Sequence, residues 1–235
     1  MRIGLMADIH GNVGAFKAVW SILERTVDQT LFIGDLAGYY PFVKECLDLW
    51  DSTKIISVRG NHDEICIAGL DRGRILDPAY RARHGTAIER SWALMSEANI
   101  ALMRSWPETC RLQFGGVSVL MCHGSPWDPL RGRIYPDFSE WQRFEAYDDQ
   151  IILLGQTHRP MTKRCGGKMI INPGSVGQPR DQLGGASYAI LDVDRREVTH
   201  FRVPYDVAPV VEDARAHDPE LPALVDLLIH GRSGG

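Results

Sequence analysis

Arg2-Ile3-Gly4-Leu5-Met6-Ala7-Asp8-Ile9-His10, at the start of the chain, decides the fold. The apolar run reads as a buried strand over residues 2 to 8 that ends on two metal-competent side chains. Residues 13 to 26 follow as an amphipathic helix with Phe16, Val19, Trp20 and Leu23 on one stripe. Strand, polar tip and helix form the repeating unit of α/β sheets, whose ligands gather beyond the carboxyl ends of the strands. The unit recurs in a strand at 30 to 34, a helix at 42 to 50 and a strand at 54 to 58. Residues 64 to 110 break the alternation with Arg-rich and Ala-rich helical stretches carrying Trp92, Leu94, Met95, Leu102, Met103 and Trp106, which predicts a helical insertion beside the sheet. From Arg111 the chain turns strand-rich, with strands near 117 to 122 and 151 to 154, turns at Gly115-Gly116 and Gly166-Gly167, and a hairpin from Tyr188 to Val203. An acidic, Pro-containing stretch over 206 to 222 leads into a short helix around Ala223 to Ile229. With no linker or repeat in view, one α/β domain over residues 1 to 235 is expected.

The chemistry lies at the strand ends. Asp8-Ile9-His10, Gly34-Asp35, Gly60-Asn61-His62-Asp63, Cys122-His123-Gly124 and Gly155-Gln156-Thr157-His158 each close an apolar run. The i, i+2 spacing of Asp8 with His10, and of Gln156 with His158, puts both members of each pair on one side of an extended strand end. Carboxylate and amide oxygens mixed with imidazoles suit borderline divalent ions such as Mn²⁺, Fe²⁺, Zn²⁺ or Co²⁺. Each cluster alone has a plain structural reading: Asn61-His62-Asp63 can cap a helix, and a solitary His123 is an ordinary buried histidine. Five such clusters in sequence, all at strand ends, make accident a poor explanation.

Other groups invite roles. Asn12 can touch a bound ligand or cap the helix after it. Arg131, Arg133 and Arg180 sit in loops where a guanidinium fork can bind an anionic oxygen. Tyr39, Tyr40 and Trp127 can stack on a leaving group or cover the core edge, and Cys122 should face the core. His62 is the candidate general acid, with Asp63 either fixing its tautomer and favouring imidazolium or capping a helix.

Composition excludes other classes. At 235 residues and 44% hydrophobic content the chain can bury a sizeable core. A formal charge of -4 gives no global field for a nucleic-acid polymer or an anionic membrane. Five scattered cysteines without a C-x-x-C pair read as reduced thiols, and Met1 leads into Asp8 without room for a signal peptide, so a cytoplasmic protein is expected. Homo-oligomerisation stays open.

Taken together, Asp8-x-His10, Gly34-Asp35, Gly60-Asn61-His62-Asp63, His123 and Gly155-Gln156-Thr157-His158 resemble the ordered signature of the calcineurin-like metallophosphoesterases, in their small bacterial and archaeal phosphodiesterase branch. His123-Gly124-Ser125-Pro126 and Asn172-Pro173-Gly174-Ser175-Val176-Gly177 look like that branch too. The resemblance implies a four-layer α/β/β/α sandwich with a helical insertion and two divalent metal ions. Manganese is expected first, with iron, zinc, nickel or cobalt as alternatives. One ion would take Asp8, His10, Asp35 and His158; Asp35 would bridge to a second, held also by Asn61 and His123. Where the family has histidine this chain has Gln156, which predicts a weaker second site. Leu36-Ala37-Gly38 after Asp35 departs from the Asp-Arg-Gly run of protein phosphatases and symmetric diadenosine-polyphosphate hydrolases. The expected activity is hydrolysis of a small phosphate ester, preferably a diester, by a hydroxide shared between the ions. Asn12, Arg133 and Arg180 are candidate substrate contacts. The alternative is an interaction scaffold that keeps the fold with weakened ligands; a DNA nuclease would need a basic surface and further domains.

Overall fold

Period-two alternation builds the centre of the molecule. In the computed structural model, which describes residues 1–230, β1 (Arg2–Met6), β2 (Gln29–Ile33) and β3 (Ile55–Val58) lie parallel in one sheet. That sheet is extended by the antiparallel hairpin of β9 (Ala186–Asp192) and β10 (Glu197–Val203), in the order β10-β9-β1-β2-β3. A second sheet, ordered β4-β5-β6-β8-β7, joins β4 (Thr109–Phe114), β5 (Val117–Cys122), β6 (Ile151–Leu153), β7 (Met161–Cys165) and β8 (Lys168–Asn172). Its three central strands are again parallel and its two edges antiparallel. Ile3, Leu5, Leu31 and Ile33 of the first sheet meet Val119, Met121, Ile151 and Leu153 of the second in one buried layer. Intervening residues point outward: Met6 and Phe32 toward helices, Leu120, Cys122 and Ile152 toward the opposite surface.

Helix α1 (Val13–Thr26) covers the first sheet through Phe16, Val19 and Leu23. Beside it pack α2 (Val43–Asp48) and four helices that form the insertion: α3 (Asn61–Asp71), α4 (Pro78–His84), α5 (Ala87–Trp92) and α6 (Glu97–Ser105). The insertion thus opens at Asn61, three residues before the expected boundary, because Asn61 is itself the first helical residue. The outermost layer on the second sheet is a 3-10 turn at Trp141–Ala146 with Phe144, Phe138 and Trp127 packed beneath and around it. Trp127 therefore covers the core edge, and Cys122 faces the same layer. The acidic stretch before the last helix contains α7 (Ala208–His217), which packs with α8 (Ala223–His230) on Tyr39 and Tyr40. No helix among the described residues is long and apolar enough to cross a membrane.

Candidate metal centre

All five strand-end clusters converge beyond the carboxyl ends of β1, β2, β3, β5 and β6. Asp8, His10 and His158 place ligand atoms within 4.8 Å of one another, as do Asp8, Asp35 and His123, and His10, Asp35 and His62. Asp8 Oδ1 lies 3.5 Å from His158 Nε2, 3.8 Å from His10 Nε2 and 3.9 Å from His123 Nε2. Asp35 Oδ2 lies 3.2 Å from His123 Nε2 and 3.8 Å from His10 Nε2. Both carboxylates are therefore central, where the sequence singled out Asp35 alone as the shared one.

The backbone reaches this arrangement by a route the spacing did not predict. Asp8, His10, Asp35, Gln156 and His158 have φ of 54°, 51°, 63°, 62° and 58°, in the left-handed region and not in extended strand ends. Such a conformation costs a non-glycine residue roughly 1–3 kcal/mol. Five instances on one cluster, including Gln156, mark position 156 as built on the same plan as its histidine and aspartate neighbours. Two glycines make room: a Cβ on Gly38 would come within 2.1 Å of His10 Nδ1, and one on Gly60 within 2.1 Å of Asp35 Oδ1.

Hydrogen bonding then aims the imidazoles. His10 Nδ1–H donates to Ala37 O at 3.0 Å, His123 Nδ1–H to Ile33 O at 2.8 Å and His158 Nδ1–H to Gln178 O at 2.7 Å. Carbonyls only accept, so every Nε2 is left for the cluster. Burial drives His10 and His158 well below the usual histidine range, so both are neutral and bring bare lone pairs 3.0 Å apart. Two acceptors facing at that distance call for a cation between them, and metal–nitrogen bonds of about 2.1 Å suit the gap. Asp8 Oδ2 and Gln156 Oε1 are buried without any hydrogen-bond partner among the described residues. Burial also pushes the Asp8 carboxyl up to about 8, with Asp35 adding to it. For His123 burial works downward, but Asp35 and Asp8 outweigh it and raise the imidazole to about 9. A bound divalent ion would return Asp8 to carboxylate and take the place of the His123 proton. The residues present thus fit a cation on Asp8, His10 and His158, with Asp35 and His123 continuing the cluster.

The second half of the cluster is built from amides. Asn61 Oδ1 lies 3.2 Å from His123 Nε2. Gln156 Nε2 donates to Leu130 O at 3.2 Å and approaches Asn61 Oδ1 at 3.4 Å. The Leu130 carbonyl thereby commits the amide nitrogen and leaves Oε1 free.

Several expected roles change. Asp63 does not touch the His62 ring: its carboxylate accepts from the backbone N–H groups of Asp35 at 2.9 Å, Ala37 at 2.9 Å and Gly60 at 3.0 Å, pinning the Asp35 loop to the start of α3. His62 Nδ1 instead meets the Tyr80 hydroxyl at 2.5 Å, and burial lowers the His62 pKa to about 4 rather than favouring imidazolium. Tyr80 comes from the insertion, 18 residues away in sequence, and was not among the expected site residues. Burial holds its phenol protonated, so the hydroxyl can donate to Nδ1 and leave the His62 proton on Nε2. Asn12 is the cap of α1, accepting from Ala15 N–H at 3.2 Å and donating to Gly177 O at 2.9 Å and the Tyr205 hydroxyl at 2.8 Å, so its side chain is committed away from the cluster. Arg180 donates to the Tyr39 hydroxyl and to Gln178 Oε1, both at 2.8 Å, and Tyr39 in turn packs edge-on against His10 at 4.5 Å. Tyr40 donates to Leu224 O at 3.0 Å and anchors α8. Arg133 is exposed and lines a cleft beside Asn61 and Gln156.

The profile of the calcineurin-like phosphoesterase superfamily domain matches residues 1–196, and the chain belongs to that family. It is 34% identical to a metallophosphoesterase from Sphaerobacter thermophilus whose crystal structure superposes with a TM-score of 0.79 over 98% of this chain and 100% of that one. The uncharacterized protein MJ0912 of Methanocaldococcus jannaschii is 31% identical over 229 residues, 89% of this chain and 90% of its own. An archaeal phosphodiesterase shares the fold at 16% identity and a TM-score of 0.53, covering 86% of this chain and 100% of that one. Members of the family bind divalent metals, and the Asp/His groups here are placed for them.

Proposed function

We propose that this chain is a metal-dependent hydrolase of small phosphodiesters, using two divalent cations with manganese preferred. The observation that carries the reading is the pair of facing lone pairs on His10 and His158 beside the unpartnered Asp8 Oδ2. The diester preference draws on the likeness to the archaeal phosphodiesterase. Bound cations would acidify water and neutralise charge on phosphoryl oxygens. Asp8, His10, Asp35 and His158 would hold one of them, and Asp35, Asn61, His123 and Gln156 the other.

The remaining steps belong to side chains. Asp63 holds the loop that presents Asp35, so both carboxylates keep a fixed separation. His62, with a ring nitrogen within 4.8 Å of the His10 and Asp35 ligand atoms, donates from Nε2 to the departing oxygen. To do so the ring must first become imidazolium, with Nδ1–H donating to the Tyr80 oxygen, and the negative ester beside the ring favours that form against the depression that burial imposes. A scaffold has no physical need for a buried imidazole held in this way. The test compares hydrolysis of bis(p-nitrophenyl) phosphate and p-nitrophenyl phosphate with and without Mn²⁺. Mn²⁺-dependent turnover favouring the diester is expected. No turnover of either with metal loaded would return the protein to the scaffold reading, and a monoester preference would make it a phosphatase.

A further inference from the structure

A cleft of about 570 Å³ opens from the amide half of the metal centre. Its floor is one stripe of α3 and its C-cap: Asn61, Glu64, Ile65, Ala68 and the capping Arg72 recur at helical spacing. At about 1.5 Å per residue the stripe runs roughly 16 Å away from the cluster. One wall is α4 and the segment before it, including Tyr80, Arg83 and His84; the other is the loop with Leu130, Arg131 and Arg133, closed by Gln156. The cleft therefore ends on two candidate metal ligands and passes the Tyr80 that holds His62.

Its charge is opposite to that of the whole protein. Arg72, Arg83, Arg131 and Arg133 line it, all exposed, and none forms an ion pair with another described residue, whereas neighbouring Arg81 and Arg59 do. The two acids on the lining are occupied: Glu64 pairs with Arg59 at 3.1 Å, and Asp77 Oδ1 caps α4 by accepting from Ala79 N–H at 2.7 Å. Four uncommitted guanidinium groups around an apolar patch of Ile65, Ala68, Ile75 and Leu76, in a chain of net charge -4, concentrate positive potential at one place. Arg83 adjoins His84, which packs on His62 at 5.2 Å, and Arg133 follows Leu130, whose carbonyl holds Gln156, so these two stand toward the metal end.

We infer that this cleft is the leaving-group subsite and that it takes a leaving group carrying its own phosphate, so that the substrate is a phosphodiester with a second, non-reacting anionic group. The inference rests on the proposed phosphodiesterase reading and adds the substrate class. Water oxygen bonds to the scissile phosphorus, the bond to the leaving oxygen breaks, and that oxygen takes a proton while the second phosphate stays intact on the arginines. Fork-shaped guanidinium groups match phosphate oxygens, and the apolar patch of Ile65, Ala68, Ile75 and Leu76 accepts a sugar or ring between the two anions.

Two measurements on the Mn²⁺-loaded protein test this. By calorimetry, thymidine 3′,5′-bisphosphate should bind at least tenfold more tightly than thymidine 5′-monophosphate, and Arg83→Ala/Arg133→Ala should erase most of that difference. Equal affinities, or a difference that survives in both this variant and Arg72→Ala/Arg131→Ala, would overturn the subsite whether or not the protein is active. In turnover, the dinucleotide TpT is compared with pTpT and TpTp, which share its scissile bond and add one terminal phosphate. One phosphorylated form should exceed TpT in kcat/KM by roughly 10–100-fold, the scale of one or two charge-assisted hydrogen bonds, and the double variant should lose far more on that form than on bis(p-nitrophenyl) phosphate. Hydrolysis of bis(p-nitrophenyl) phosphate with no advantage for either phosphorylated dinucleotide would overturn the substrate class and leave the phosphodiesterase reading standing. Failure to hydrolyse any diester would instead strike that reading, while the calorimetry still decides the subsite.

Discussion

The two halves of the metal centre differ in chemistry and exposure. Asp8, His10 and His158 are 0%, 0% and 2% exposed, and two neutral imidazoles meet there across 3.0 Å. Asn61 and Gln156 supply amides and line the cleft, with Gln156 at 8% exposure. Imidazole and carboxylate favour a tightly retained ion, while neutral amide oxygens beside the cleft favour one that exchanges. The shared frame is therefore expected to hold one ion tightly and the other more loosely, and the residues between them decide how far they act as a unit.

Those residues are Asp35 and Asp8, and removing charge there should have the largest effect. Asp35→Asn is expected to abolish activity and to lower metal content, read by elemental analysis, more than any other ligand change. Asp8 Oδ1 lies within 3.9 Å of all three imidazoles, so Asp8→Asn is the sharpest control. A greater metal loss in Asp8→Asn would move the shared position to Asp8, and unchanged metal content in Asp35→Asn would remove Asp35 from the bridge.

His62 stands outside both halves. His62→Ala should keep both ions and slow turnover by roughly 10²–10⁴, with the loss shrinking for a good leaving group such as p-nitrophenolate. A loss independent of leaving group would assign His62 to phosphoryl charge or positioning. Tyr80→Phe comes next. Removing a group that orients a catalytic imidazole should lower kcat by roughly tenfold, on the scale seen for partners of functional histidines, with KM and metal content little changed. A rise in KM at constant kcat would mean that Tyr80 contacts substrate from the cleft wall instead.

The contrast between these residues also shows what a chain discloses before it folds. Asp8, His10, Asp35, Asn61, His123, Gln156 and His158 were legible because each closes a short apolar run, and all seven gather at one edge of the paired sheets. Their left-handed backbone was not, since Asp, His and Gln carry none of the signal that glycine does. For Asp63 the helix-capping alternative holds through the Gly60 N–H, while its other two partners, the Asp35 and Ala37 N–H groups on the loop after β2, are a tertiary match that adjacency to His62 conceals. Tyr80 and the arginine cleft depend on how α4 folds back over α3, which helical periodicity leaves undetermined. Helix α7 hid behind Pro209 and a run of charges, its packing face being only Val210, Val211 and Ala214.

The smallest effect, and the one that separates the two halves most directly, is expected from Gln156→His. Position 156 already has the left-handed backbone of its neighbours at φ 62° and lies beside Asn61, so an imidazole there needs no new main-chain path. Its side chain would exchange a neutral amide oxygen for a nitrogen that softer ions prefer, raising affinity at the open site and leaving Asp8, His10 and His158 untouched. The natural protein should therefore purify with about one tightly held ion per chain and require added Mn²⁺. The variant should retain nearer two and gain a few-fold in activity at limiting metal, with little change at saturation. Losing the Leu130 contact sets a cost on the same substitution, because the amide nitrogen that now donates at 3.2 Å disappears. If calorimetry finds two equally tight sites in the natural chain and no gain in the variant, Gln156 is a full ligand and the halves do not differ in strength. If instead the variant binds two ions but turns over more slowly at saturating metal, the exchangeable site is part of the mechanism, and the amide is the better residue for it.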